Sequence, residues 1–472
     1  MEIVKKDFFR LLQALPAVTF ILIVALTGCR PDCGAELISV NEKSPAGNVL
    51  AQKISVACKE NADLFIRYWE KENKTKVFST PVSSGKKEHV FSLLYLRPAK
   101  AYEYEVVAKN GNCESNVSDV RSFDTKEMPM AIQEMVMPGE IQQTLPERFA
   151  KGFSVIARRD LPGQVYILDA RGKIVWYHTI RDAGFKVAHY TKESTILSIV
   201  APLSYPTSYG DEILEISLAG DTIFHLKKGE KGFDKTIHHE VFYNDAHQLV
   251  TLTLEKKLFD LSRVGGAKAD TVTGDGILIL DAMGNRIWSW SVFDVVDPAA
   301  DPDILKNKTD WLHANGLSVD TDGNYLLSFY QSGQVWKINA KSGKLMWKIG
   351  RGGDFSFPKQ EPMFYESHAV HRTANGELML FENGTNKKRS RVLAYTLDEP
   401  GRKANTALSI ELPMNLYSER MGSVYRVDDA SLLVCSSQAH AVTLLDNTGK
   451  NLWNVITGFI PYRAEFIDSL PL

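Results

Sequence analysis

At 472 residues with a formal charge of −2 at pH 7, the chain is long enough for two or three domains and lacks the basic excess that nucleic-acid binding demands. Its 44% hydrophobic and 10% aromatic residues make an ordinary globular composition, which excludes wholesale disorder. No GxxxxGK[ST] or GxGxxG stands between a strand and a helix, and no GxSxG occurs, so nucleoside phosphates, nicotinamide cofactors and serine-hydrolase chemistry lack their loops.

The first 29 residues read as an address. Lys5, Lys6 and Arg10 form a basic start, the apolar LQALPAVTFILIVALTG follows, and Leu26-Thr27-Gly28-Cys29 closes it with small residues before a cysteine. This resembles a bacterial lipobox, which implies a signal peptide over 1–28, cleavage before Cys29, diacylglycerol on the Cys29 sulfur and a tether over 29–33. Arg30, rather than aspartate, follows the cysteine, so the Gram-negative sorting pattern favours the outer membrane. The expected location is extracytoplasmic, with the lipid as the only membrane anchor.

An oxidising location makes the remaining cysteines readable. Cys58 in KISVACK and Cys113 in GNCES are the expected disulfide pair, with Cys33 left over and connectivity open on spacing alone; Cys435, inside SLLVC, reads as a buried hydrophobe. Residues 34–127 hold LRPAKAYEYEVVAKNGNCESNVSDVRSFDT, which resembles the last strands of a fibronectin type III sandwich and suggests a spacer or docking module. Met, Gln and Pro without period then mark a linker over 128–150.

From 151 to 472 one phrase recurs six times: an apolar strand, a turn, then an aromatic strand. It reads GQVYILDARGKIVWYH, DEILEISLAGDTIFHL, DGILILDAMGNRIWSW, GQVWKINAKSGKLMWKIG, RVLAYTLDEPGRKANTAL and HAVTLLDNTGKNLWNV. The turn glycines Gly172, Gly220, Gly284, Gly343, Gly401 and Gly449 are spaced 48, 64, 59, 58 and 48 residues apart, the span of a four-stranded blade with its loops. Before each phrase lies a more apolar run, from FSVIA to SLLVC, suited to a strand buried on both faces. The predicted fold is therefore all-β, a six-bladed β-propeller preceded by the small sandwich.

Three histidines occupy matching places ahead of those apolar runs. His239 stands nine residues before Gln248, His313 eleven before Asn324 and His368 nine before Glu377. The difference of two is even, so a pleated strand keeps their facing, and side chains at the start of an innermost strand converge on the axis. His238 and His371 replace His239 and His368 if the register is off by an odd step. His89, His178, His189, His225, His247 and His440 are read as structural. Three axial histidines could also suit zinc with an open position, but the nearby Glu240 and Glu366 do not recur at ligand spacing, and no metal is assigned.

DWLHANGLSVD, GKLMWKIG, SHAVHRTANGELMLFENG, SRVLAY and ERMGSVYRVDDASLLVCSS together resemble the bacterial arylsulfate sulfotransferases. The likeness covers the propeller and not the first domain. It implies transfer of a sulfuryl group from a phenolic sulfate donor to a phenolic acceptor, independent of the nucleotide donor PAPS and without a cofactor. It places the nucleophile, which becomes a sulfohistidine, at His368, with His313 and His239 as its partners, and Asn315 and Asn383 as orienting groups. Where the family carries an arginine to brace the anion, this chain has Tyr330; Arg391 and Arg420 are the candidate substitutes for substrate binding. Competing readings are a non-catalytic binding propeller, a histidine-cluster metal-dependent hydrolase, and a quinone dehydrogenase, whose docking hairpin NAKSGKLMWKIG resembles but whose eight blades exceed the six counted.

Overall fold

The computed structural model describes residues 33–471 apart from 46, 207 and 359–362; the predicted signal peptide and Cys29 lie outside the described residues. The N-terminal unit is all-β. Its organising element is the 19-residue strand Gln52–Glu70, which pairs through its first half with Leu37–Lys43 and Ser83–Leu93 and through its second half with Asn73–Ser79 and Ala101–Asn110. With Cys113–Asn116 and Arg121–Asp124 the seven strands form one hydrogen-bonded sheet, rather than the two separately bonded sheets of a fibronectin-type sandwich. Ile54 and Val56 from the first half, Leu64, Ile66 and Tyr68 from the second, and Tyr102, Tyr104 and Val106 opposite them meet in one core, as period-two alternation requires.

That alternation corrects the predicted disulfide. Cys58 shares the inward face of Ile54 and Val56, is 3% exposed and is a free thiol, and burial pushes its pKa up. Cys113, on the short edge strand, instead bridges Cys33 with a Cα–Cα separation of 5.9 Å. The expected Cys58–Cys113 pair fails because Cys58 points into the core. Cys435 is fully buried on a blade strand, as its apolar setting predicted.

The propeller has six blades. Counting outward from the axis, the innermost strands are Pro461–Ile467 in blade one, Gly184–Tyr190 in blade two, Ile237–Tyr243 in blade three, Ala314–Val319 in blade four, Ser367–Arg372 in blade five and Ser423–Asp428 in blade six. The apolar runs picked out in the sequence are the second strands, and the recurring phrases are the hairpins of the third and fourth. The ring is closed twice. The C-terminal strand Pro461–Ile467 pairs with Phe153–Arg158, and Val136–Ile141 adds a fifth, outer strand to blade six by pairing with Asn451–Thr457. The stretch read as a linker is thus partly sheet; Phe149 from it packs on Trp453.

Neighbouring blades are tied by the aromatic ends of the phrases. Trp176 of blade one donates to the Leu218 carbonyl at 2.8 Å, and Trp290 of blade three donates to the Gly343 carbonyl at 2.9 Å, each capping the hairpin turn of the next blade. Gly172, Gly220, Gly284, Gly343 and Gly449 hold φ of +70°, +82°, +86°, +68° and +87°, which those turns need and which only glycine adopts without cost. Blade five differs: its left-handed residue is Arg402 at +52°, beside Gly401. The N-terminal unit leans on blades one and two through the Val49 amide donating to the Tyr177 hydroxyl at 3.1 Å, the Lys53–Asp221 pair at 2.8 Å and the Tyr95–Phe153 contact.

Thiol labelling checks this arrangement. Under denaturing but non-reducing conditions, alkylation should reach Cys58 and Cys435 and leave Cys33 and Cys113 bridged, and a peptide linking Cys58 to Cys113 would contradict it. Cys113→Ser should lower unfolding stability by on the order of 3–5 kcal/mol, because the bridge closes a long loop, measured by urea titration.

Candidate active site

All six inner strands begin at the same mouth of the channel. Five of them are irregular there: strand pairing slips between Pro461 and Ala464, Phe185 and Val187, His238 and Val241, Ala314 and Gly316, and His368 and His371. Such bulges add unpaired residues and re-aim side chains. The turns in the backbone are sharp. His239, His313 and Ala369 hold φ of +61°, +57° and +54°, with Leu312 and Glu366 at +68° and +56°. Left-handed backbone at non-glycine residues costs about 1–2 kcal/mol each, and its concentration at one mouth marks a site where geometry outranks stability.

The three predicted histidines converge. Ring centroids are 5.3 Å apart for His239 and His313, 5.9 Å for His313 and Tyr330, and 5.5 Å for Tyr330 and His368. Tyr330 therefore stands between two of them. The facing argument picked out residues that meet, but the device that aims them is the bulge rather than pleat alternation; His238 is also buried at the cluster, 2.8 Å from His239 between their Nδ1 atoms, while His371 points further along the channel, its Nδ1 against the Ala369 carbonyl.

The tautomer of His368 follows from its neighbours. Asn383 donates its amide hydrogens to the carbonyls of Ser418 at 2.9 Å and Met421 at 2.7 Å, so its oxygen faces the His368 Nδ1 at 2.7 Å. An amide oxygen only accepts, hence Nδ1 carries the proton and Nε2 the lone pair. That lone pair takes a long bond, 3.2 Å, from the Met421 amide. Burial, with the charges of His313 and Arg463, pushes the His368 pKa down to about 3, so the ring is neutral. His239 is held well below its usual value by burial and the same neighbours.

His313 is the opposite case. Burial pulls its pKa down, but the hydrogen bond and charge of Asp310, 2.8 Å from Nδ1, outweigh it and leave it raised. Asp310 is correspondingly lowered. The site thus combines neutral His368 and His239 with a His313 that favours the cation. Behind them, His238 lies 3.5 Å from Asp275; burial pushes Asp275 up to about 7 and His238 down to about 3.

The other predicted residues divide. Asn315 is buried and fully engaged, donating to the Ser367 carbonyl at 2.8 Å and accepting from Ser328 at 2.6 Å; it fixes the backbone ahead of His368 instead of facing the channel. Arg391 does not reach the site. It is 5% exposed and locked in a two-point pair with Glu382, with one contact at 2.9 Å, because its strand lies two places outward from the axis. Arg420 is exposed on the segment 413–422 that covers His368. Tyr330 pins that segment by donating to the Glu419 carbonyl at 2.9 Å, and burial raises its pKa.

Sequence reasoning missed Asp310, although it sits three residues before His313 in DWLH, and Arg463. Arg463 is fully buried, paired with Glu240, and donates to the Asn315 carbonyl at 3.2 Å. Glu240 also lies 3.2 Å from His189, whose pKa its carboxylate and Glu465 hold up near 10 against burial. His189, read as structural, is part of this ion network. Among the described residues no group of three or more His, Cys, Asp or Glu is placed to hold a metal ion.

Comparison with known proteins gives a family but no near neighbour. No curated protein matches the sequence. Among solved structures, a protein of unknown function from Bacteroides caccae aligns at 12% identity over 68% of this chain and 100% of its own, with a TM-score of 0.44. A virginiamycin B lyase from Staphylococcus aureus aligns at 9% identity over 68% and 98%, with a TM-score of 0.33. A family model, in contrast, matches residues 139–459, from the outer strand of blade six to the residue pair before the closing strand. That span takes in His239, His313, Tyr330, His368 and Asn383 together, and by it the chain belongs to the arylsulfotransferase (ASST) family.

Proposed function

We propose that this protein moves a sulfuryl group from an aryl sulfate to a phenol by two displacements at His368. Family membership supports aryl sulfotransfer in general; the observation that carries the finer reading is the tautomer at His368, a neutral imidazole with its lone pair on the nitrogen away from Asn383. In the first step Nε2 attacks sulfur, the bond from sulfur to the aryl oxygen breaks, and the leaving phenolate takes its proton from His313. The product is a sulfohistidine whose Nδ1 keeps its proton and goes on donating it to the Asn383 oxygen. In the second step the acceptor phenol gives its proton to His313, its oxygen attacks sulfur, and the N–S pair returns to Nε2. His239 offers a neutral hydrogen bond to a sulfuryl oxygen. Attack requires the Met421 amide to yield its long bond, so the segment 413–422 opens to admit the donor.

The near-complete burial of His368, 3% exposed, favours one competing reading, a binding propeller without turnover. Incubating the protein lacking residues 1–28 with p-nitrophenyl sulfate separates the two. Transfer gives phenol-stimulated nitrophenol release and an intact-mass gain of one sulfuryl group, both lost in His368→Ala; silence in both readouts across several aryl sulfates selects the binding propeller.

The charge on His313 sets the pH dependence. Its pKa is raised, so the acid form is present below that pKa and is lost as pH rises through it, whereas His368, near 3, stays nucleophilic across the range. For an aryl sulfate with a poor leaving group, kcat/KM should therefore fall on the alkaline side, above the ordinary imidazole value. Asp310→Asn should move that limb to lower pH and lower the plateau by about 10²-fold or more. An unshifted limb would remove His313 from the proton transfer.

The first 29 residues support an extracytoplasmic lipoprotein, anchored through Cys29 to the outer membrane of a Gram-negative cell, and the Cys33–Cys113 bridge suits an oxidising space. Metabolic labelling with a radioactive fatty acid should mark the wild type and not Cys29→Ala, and recovery of the label in the inner-membrane fraction would reassign the destination.

A further inference from the structure

The sulfuryl group is anionic, and the site as described faces it with little charge. Tyr330, in the place of the family's arginine, has one neutral donor already given to the Glu419 carbonyl. Arg391 is neutralised by Glu382 and Arg463 by Glu240. Of the groups facing the sulfate ester only His313 favours the cation, and further charge would strengthen binding, because charge-assisted bonds are roughly twice as strong as neutral ones.

Arg159 is different. It follows the second strand of blade one, at the mouth where the inner strands begin, and is 7% exposed. Its Nε and Nη1 are buried without a hydrogen-bond partner. Among the described residues it has no carboxylate within ion-pair distance; Asp160, its chain neighbour, acts on it only through space. Buried guanidinium groups are almost always paired, since removing the charge from water costs several kcal/mol. Here two donors point into protein with nothing to meet. It lies within electrostatic reach of Tyr462, whose ring is 6.0 Å from that of His239, and of Arg420, which in turn acts on Tyr330.

A second cation stands beside it. Gly184 opens the inner strand of blade two so close to Arg159 that a Cβ there would fall 1.6 Å from the Arg159 carbonyl oxygen. Two residues on, Lys186 occupies the bulge between Phe185 and Val187, the place His239 has in blade three. Lys186 is 2% exposed, and its Nζ donates to the Tyr205 carbonyl at 3.1 Å. Burial and the nearby Arg159 lower its pKa and outweigh the opposing charge of Asp160.

We propose that Arg159 and Lys186, with Arg420 at the rim, form an oxyanion subsite for the sulfate group, supplying from blades one, two and six the charge that Tyr330 does not supply from blade four. The assignment rests on the sulfotransfer reading for its catalytic use, but not for its existence: the subsite is built to hold a tetrahedral oxyanion whether or not transfer follows. The Arg159 fork would engage the sulfuryl oxygens, which stay on sulfur through both displacements, so it acts on donor and intermediate alike.

The test uses the protein lacking residues 1–28 and inorganic sulfate as the probe, by calorimetry at constant ionic strength, alongside p-nitrophenyl sulfate kinetics. Arg159→Met should weaken sulfate binding about tenfold or more, Arg159→Lys less, since charge is kept and the fork lost, and Lys186→Met should weaken it too. In kinetics Arg159→Met should lower kcat/KM by at least the same factor. Its melting temperature should hold or rise, because an uncompensated buried charge is removed; a merely structural arginine would lower it. Sulfate bound by wild type and lost in the variants, with no nitrophenol released by any of them, would sustain the subsite and end the transfer reading. Equal sulfate binding by wild type and Arg159→Met, or none by wild type, would overturn the subsite. If Arg159→Met does not fold, Arg159→Lys and Lys186→Met carry the same comparison.

Discussion

The structure depends on the closure of the ring. Each blade is its own sheet, and the first would keep an open inner edge unless the end of the chain returned to it; the closure uses both ends of the domain, Pro461–Ile467 on the axis of blade one and Val136–Ile141 on the rim of blade six. The inner position of the C-terminal strand has a chemical consequence. It carries Tyr462 and Arg463 to the centre, where Arg463 donates to the backbone of Asn315 and pairs with Glu240. The strand that finishes the fold therefore also carries a buried guanidinium, paired with Glu240, beneath the histidines.

That charge sorts the imidazoles. Desolvation alone lowers every buried histidine, and Arg463 and mutual repulsion add to it for His239 and His368. Only a histidine with its own carboxylate resists, and Asp310 gives one to His313. His189 does the same deeper in the channel with Glu240 and Glu465. Pairs of titratable groups pushed in opposite directions are how one site holds a nucleophile and an acid at the same pH. The strained backbone at His239, His313 and Ala369 is the means by which rings from three blades meet on one axis.

Much of this was legible in the sequence, for identifiable reasons. The six hairpins announced themselves because a turn glycine and an aromatic strand recur at blade spacing, and the tryptophans that cap the next blade's turn are the aromatic ends of those phrases. His239, His313 and His368 were legible because they precede the buried second strands at matching distances. Arg391 misled because the phrase SRVLAY fixes a strand but not its distance from the axis, and Glu382, its partner, gave no sign in a list of charges. The disulfide misled because spacing alone does not say which face of its strand Cys58 occupies. Arg463 and Arg159 were invisible for a different reason: each sits beside the ring closure, where residues more than 300 positions apart meet, and no local spacing reports that.

The replacement of an arginine by Tyr330 also changes what the covering segment does. A guanidinium in that place would point its charge at the substrate; the phenol instead reaches across to the Glu419 carbonyl and holds the segment that buries His368. The same segment supplies the Met421 amide to the His368 lone pair and takes two hydrogen bonds from Asn383. Tyr330, His368 and Asn383 thus share one partner, and displacing the segment frees the His368 lone pair in the same motion. Opening and activation are coupled by these hydrogen bonds. On the proposed subsite charge comes from the far side of the channel, and Tyr330 is left free to latch the segment that covers His368.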